Sequence, residues 1–172
     1  ALGALLFLAA CSSGQVSDYS NVQPRLEVEE FFEGRLSAHG VVKDRGGKVI
    51  RTFNAEIDAS WSEGVGTLTE DFVFDDGETH RRIWTLRRDG KDQYIGTAGD
   101  VVGEGRLQQA GNSVFLDYVL QVPYGDGSVD VRVDDRMYLV APDVLINESR
   151  MSKFGWRVGN LILVILRQPG GV

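Results

Sequence analysis

The chain has 172 residues, a length that suits one domain. Its 18 basic residues against 25 acidic ones give a net charge of −7, which excludes the concentrated basic face that nucleic acid requires and attachment to anionic lipid by net charge alone. Cys11 is the sole cysteine and His39 and His80 the sole histidines, so neither an internal disulfide nor a multi-His or Cys-based metal centre is expected, and no cofactor is implied.

Ala1 to Ala10 form an uncharged apolar run. A membrane-crossing helix needs about 20 such residues, so the run suits the apolar core of a secretory signal instead. It ends Leu8-Ala9-Ala10-Cys11, which resembles the lipobox of bacterial lipoproteins. Residues 1–10 are therefore expected to be a signal-peptide remnant whose start is missing, with Cys11 the lipidation site, carrying acyl chains such as palmitate. Residues 11–22 are expected to be a flexible tether, because a polar stretch begins at Ser12-Ser13-Gly14. With Ser12 in place of an aspartate after the cysteine, the expected location is the outer membrane, facing the periplasm.

Residues 23–172 are expected to form one domain. Pro24 to Glu33 reads as a short helix, with proline at its start, acidic residues in its first turns and Gly34 at its end. Strands follow. Val49, Phe53, Ala55, Ile57, Ala59 and Trp61 share one face of a long alternating segment, with Arg51 the polar exception. Val114, Leu116, Tyr118, Leu120 and Val122 share another face, as do Val129, Val131 and Val133. Glycine- and aspartate-rich turns separate these runs, giving about nine or ten strands and no helix long enough for a parallel crossover. The apolar run Leu161 to Leu166 reads as a buried closing strand. The expected fold is all-β: an antiparallel up-and-down meander that closes into a lipocalin-like, calycin-type barrel, with a two-sheet sandwich as the alternative.

The hairpin from Leu68 to Leu86 carries the clearest chemistry. With a three-residue turn at Asp75-Asp76-Gly77, Leu68, Glu70, Phe72 and Phe74 stand opposite Trp84, Arg82, His80 and Glu78, with Asp71 opposite Arg81 on the other face; a two- or four-residue loop shifts the pairing and sets Asp71 opposite Arg82 instead. If the Glu70 face points inward, polar groups stand among aromatics, as in a pocket for an amphipathic ligand. The alternative is an outer-surface ion pair beside a Trp84 that fills an ordinary core. The candidate ligand-binding residues are Glu70, Phe72, His80, Arg82 and Trp84, joined by Tyr118, Tyr138 and Arg150 from later strands. Asp134-Asp135 reads most simply as a solvated turn. No nucleophile elbow, phosphate loop or dinucleotide fingerprint is present, so no catalytic residue is assigned.

Several stretches resemble the domain of unknown function 3833 family, small bacterial proteins often predicted as lipoproteins. They include Glu29-Glu30-Phe31-Phe32-Glu33-Gly34, Asp134-Asp135-Arg136-Met137-Tyr138 and Arg150-Met151-Ser152-Lys153-Phe154-Gly155. The resemblance spans residues 26–167 and implies no established activity. The expected partners are a membrane, through the lipid anchor, and a hydrophobic small molecule. The expected function is binding of a fatty acyl or other small hydrophobic ligand at the envelope. The alternatives are an isomerase or hydratase of lipid chains using Glu70, His80 or Tyr118, and an envelope assembly partner.

Overall fold

The structure is a computed structural model that describes residues 14–169. Its strands run β1 (Gly34–Asp44), β2 (Val49–Ser62), β3 (Val65–Phe74), β4 (Thr79–Arg88) and β5 (Gln93–Thr97). They continue with β6 (Gly105–Ala110), β7 (Ser113–Tyr124), β8 (Gly127–Ala141), β9 (Val144–Lys153) and β10 (Trp156–Arg167). Each pairs antiparallel with its chain neighbours, and β10 returns to β1, so the sheet is a closed barrel of the lipocalin-like, calycin type. Closure leaves no sheet edge unpaired at this seam, where Leu36 to Asp44 run against Gly159 to Arg167.

Side chains alternate between the lumen and the outer surface. Phe53, Ala55, Ile57 and Ala59 of β2 are buried, as the alternation predicts, while Arg51 sits nearer the end of the barrel, beneath the β3–β4 turn. Its guanidinium stacks 3.6 Å from the centre of the Phe74 ring and pairs with Asp76 and Glu78. The β10 run is buried on one side only: Ile165 is enclosed, whereas Ile162 points outward and is 38% exposed. Glycine provides room at Gly40, where a Cβ would lie 2.5 Å from the Phe53 ring and 2.8 Å from the Leu163 Cβ.

One end of the barrel is plugged. Leu26, Val28, Phe31 and Phe32 are all buried there, each contributing about 1.5–3 kcal/mol of apolar burial. The plug differs from the expected helix over Pro24 to Glu33, because only α1 (Val28–Phe31) is helical. The amide of Leu26 donates to the Gly111 carbonyl and that of Val28 to Gln109 Oε1, which draws the chain before Val28 onto the barrel end. The plug is then tied down on its other side. Trp61 Nε1 donates to the Phe32 carbonyl at 2.8 Å, and Arg88 pairs with Glu29.

The expectation of a flexible tether needs a parallel correction for its described part, from Gly14 onward. A 3-10 turn covers Val16–Tyr19, and the Tyr19 ring packs 5.8 Å from Phe115 and 5.4 Å from Tyr138 on the outer wall. Arg136 Nη1 donates to the Gly14 carbonyl. Aromatic packing and this hydrogen bond hold the segment on the barrel. Cys11 and residues 1–10 lie outside the described residues.

The opposite end is open. Alternation of strand direction brings the β1–β2, β3–β4, β7–β8 and β9–β10 turns to this end, together with the β5–β6 loop. Because β5 is short, β4 pairs with it only from Thr85 to Arg88. The loop after β5 covers the gap above, bridging Val101 to Leu120 on β7 and carrying Asp100 to the side of β4.

Candidate functional site

The β3–β4 hairpin adopts the register that a three-residue turn predicts: Leu68 opposite Trp84, Glu70 opposite Arg82, Phe72 opposite His80 and Asp71 opposite Arg81. The Glu70 row faces the lumen. Glu70, Phe72, Arg82, Trp84 and Tyr118 line a cavity of about 120 Å³ in the middle of the barrel, closed below by Phe32. A second cavity of about 240 Å³ shares Phe53, Phe72, Arg82 and Tyr118 with the first and extends toward the open end past Phe74, His80, Leu120 and Met151.

Arg82 organises the polar part. Its Nε donates to Asp100 Oδ1 at 3.0 Å and its Nη2 to Oδ2 at 2.7 Å, a bidentate pair. Nη1 lies 3.9 Å from Glu70 Oε2, too far for a hydrogen bond but near enough for Coulombic attraction. Burial disfavours the guanidinium charge, but Asp100 and Glu70 outweigh it and hold the group firmly protonated. Burial also works against the Asp100 carboxylate, yet the Arg82 bonds keep it below its ordinary value. His80 Nε2 is 3.3 Å from the same carboxylate, so this histidine stands at the rim of the outer cavity, tied to Asp100.

Two carboxyl groups remain without such a partner. Burial raises Glu70 to about 7, because Arg82 only partly offsets it while Asp135 and Asp100 add repulsion. Asp135, on β8 across the lumen, is raised to about 6, again by burial, with donors on Ser149, Asn147 and Tyr118 pulling it back. Burial likewise keeps the Tyr118 hydroxyl protonated, well above its usual range. Asp135 Oδ1 and Asn147 Oδ1 are buried with no hydrogen-bond partner among the described residues, although an unmet buried acceptor typically costs about 1–3 kcal/mol. Both residues line the inner cavity.

The structure corrects the expected site at three places. Tyr138 points away from the lumen, because its neighbours Met137 and Leu139 take the inward positions; its ring instead packs on Tyr19 and Phe115. Arg150 is exposed on the outer face of β9, since Ser149 and Met151 point inward. Asp134-Asp135 is no turn but mid-strand, with Asp135 in the lumen and Asp134 outside, bonded to Arg136. Sequence reading missed Asp100, Asp135, Asn147 and Ser149. The available signal was the polar row Asn147-Ser149 flanked by Ile146 on β9, an alternation of the wrong sense for a barrel filled only by apolar side chains. Among the described residues, no three His, Cys, Asp or Glu side chains converge on a metal-sized site.

One solved structure shares the fold. The S-type phycobiliprotein lyase CPES from Guillardia theta superposes with a TM-score of 0.63 at 14% identity, covering 92% of this chain and 100% of that one. A redesigned β-barrel, mFAP1, bound to DFHBI gives a TM-score of 0.43 at 10% identity, over 81% of this chain and 97% of that one. No curated protein matches the chain. The family described as protein of unknown function (DUF3833) matches residues 5–167, and the chain belongs to that family.

Proposed function

We propose that the barrel binds a small, mainly apolar chain whose uncharged polar head sits among Glu70, Arg82, Asp135 and Asn147. The observation that carries this reading is the inner cavity itself: a largely apolar chamber in whose wall two buried acceptors, Asp135 Oδ1 and Asn147 Oδ1, meet no donor at hydrogen-bond distance among the described residues. A hydroxyl or amide N–H on the ligand supplies what they lack. A free carboxylate does not. Arg82 is already held by Asp100, and a ligand anion about 4 Å from an ionised Glu70 is opposed by ~4 kcal/mol at an effective dielectric of 20. The favoured ligand is therefore an acyl or alkyl chain ending in an alcohol or amide, with the free fatty acid disfavoured. The likeness to the lyase is one of fold; the reading rests on this chain's own side chains.

Calorimetric titration of the full chain with 1-decanol and with decanoate tests this at pH 8. Decanol is expected to bind about tenfold or more tightly than decanoate, and Asp135→Asn to weaken decanol. Tighter binding of decanoate, or no binding of either, sinks the assignment.

We also propose that lipid on Cys11 holds this barrel at the envelope, on the strength of Leu8-Ala9-Ala10-Cys11. Two or three acyl chains contribute ~0.8 kcal/mol for each buried methylene and anchor stably. Cys11→Ser is expected to abolish labelling by a clickable palmitate and to weaken the protein's retention in the membrane fraction. Unchanged labelling of the variant would refute the anchor.

A further inference from the structure

We infer that the open end of the barrel carries its own membrane-docking surface, built from the β1–β2 and β9–β10 hairpin tips and fitted to an anionic bilayer. The two tips are neighbours, because β1 pairs with β10 and Arg157 Nη2 donates to the Arg45 carbonyl at 3.3 Å. Phe154 is 88% exposed, Trp156 69% and Ile50 59%, so bulky apolar side chains stand in solvent at the end that leads to the cavity.

Local geometry makes these side chains hard to explain as filler. Lys153 pairs with Trp156 across a two-residue turn in which Phe154 has φ 51° and Gly155 φ 80°. Such turns favour asparagine or glycine at both positions, and a bulky residue with positive φ is an outlier. A phenylalanine held there projects its ring from the tip of the hairpin into solvent. Aromatic rings with one wet edge favour the membrane interface over both water and hydrocarbon.

Charge identifies the surface they meet. Arg45 and Lys48 flank the first tip, and Lys153 and Arg157 the second; Asp44 and Glu148 stand between them, and on the neighbouring β3–β4 tip Arg51 pairs with Asp76 and Glu78. The chain as a whole carries −7, so this basic cluster runs against the general balance. Lys153 Nζ lies 4.9 Å above the Phe154 ring, placing cation and aromatic on the same spot. Basic residues beside inserted apolar side chains are the combination that binds anionic headgroups. Docking here is separate from any N-terminal anchor and from what the cavity holds.

Flotation of the full chain bearing Cys11→Ser, with vesicles of phosphatidylethanolamine and phosphatidylglycerol or of phosphatidylcholine alone, tests the surface. The apolar residues 1–10 are common to every sample, so differences among variants report the tips. Phe154→Ser with Trp156→Ser is expected to weaken partition into anionic vesicles about tenfold. Lys153→Glu with Arg157→Glu is expected to weaken it similarly on anionic vesicles and to leave phosphatidylcholine binding unchanged. A second measurement needs no variant. Trp156 is the exposed tryptophan, whereas Trp84 is 6% exposed and Trp61 partly buried, so acrylamide quenching reports chiefly on the tip. Anionic vesicles are expected to protect it. Equal partition of wild type and both variants overturns the proposal, as does quenching unchanged by vesicles. A vesicle-free dimer that Phe154→Ser with Trp156→Ser dissolves would overturn it too, by assigning the tips to a protein interface.

Discussion

Glu70 shows how one buried acid couples fold and function. The folded protein holds a proton on it up to about 7, while an exposed glutamate releases its proton near 4.5. Between those values the native state binds more protons than the unfolded chain, so stability falls as pH rises through that window and levels off above it. The contribution is complete below 4.5 and lost by about 7; Asp135 acts in the same sense between 3.8 and about 6. Asp100, held below its ordinary value by Arg82, acts in the opposite sense and only at more acid pH. Glu70→Gln is expected to raise stability at pH 8 by about 2 kcal/mol and to flatten the slope between pH 5 and 7, read by urea unfolding. An unchanged slope would mean that Glu70 is already ionised in the native barrel. The same substitution removes the anion that opposes a carboxylate ligand, so it is also expected to narrow the gap between decanol and decanoate.

At the scale of elements, the plug around α1 decides which end of the barrel is closed. Phe31 is 3% exposed and packs edge-on to Phe32 at 5.1 Å. Phe31→Ala is expected to cost about 3–5 kcal/mol in denaturant unfolding; a loss below about 1 kcal/mol would show that the plug is an accessory to the barrel. How legible each element was follows from its patterning. The strands β2 and β7 were readable because apolar residues alternate cleanly, and the β3–β4 register matches the three-residue turn among those that Asp75-Asp76-Gly77 allows. β8 and β9 were not. Their inward rows contain Asp135, Asn147 and Ser149, while Tyr138 and Ile146 face out, so the hydrophobic pattern is inverted where the cavity is polar. Asp100 was hidden for another reason: a loop residue reaches Arg82 only because β5 is short, and strand periodicity carries no trace of that. The extent of α1 was equally hidden, since the amides of Leu26 and Val28 are claimed by distant partners at Gly111 and Gln109.

For the whole molecule, a barrel plugged at one end and open at the other limits the length of what it holds. The polar head belongs in the inner cavity, above Phe32, and the chain must then run toward Phe74 and His80. The outer cavity of about 240 Å³ therefore encloses only a limited stretch of that chain. Each methylene buried in that stretch contributes about 0.8 kcal/mol, close to a fourfold gain in affinity. Beyond it the chain emerges at the open mouth and gains little. Affinity across the 1-alkanols is therefore expected to rise about fourfold per carbon while the added carbons lie inside the outer cavity and then to flatten, as measured by calorimetric titration of the full chain. A rise sustained to hexadecanol would show that the barrel widens around longer chains. A flat series from the start would mean that the apolar cavity does not hold the chain at all. Either result would separate a fault in the assigned path from a fault in the assigned head group, because decanol and decanoate differ only at the polar end.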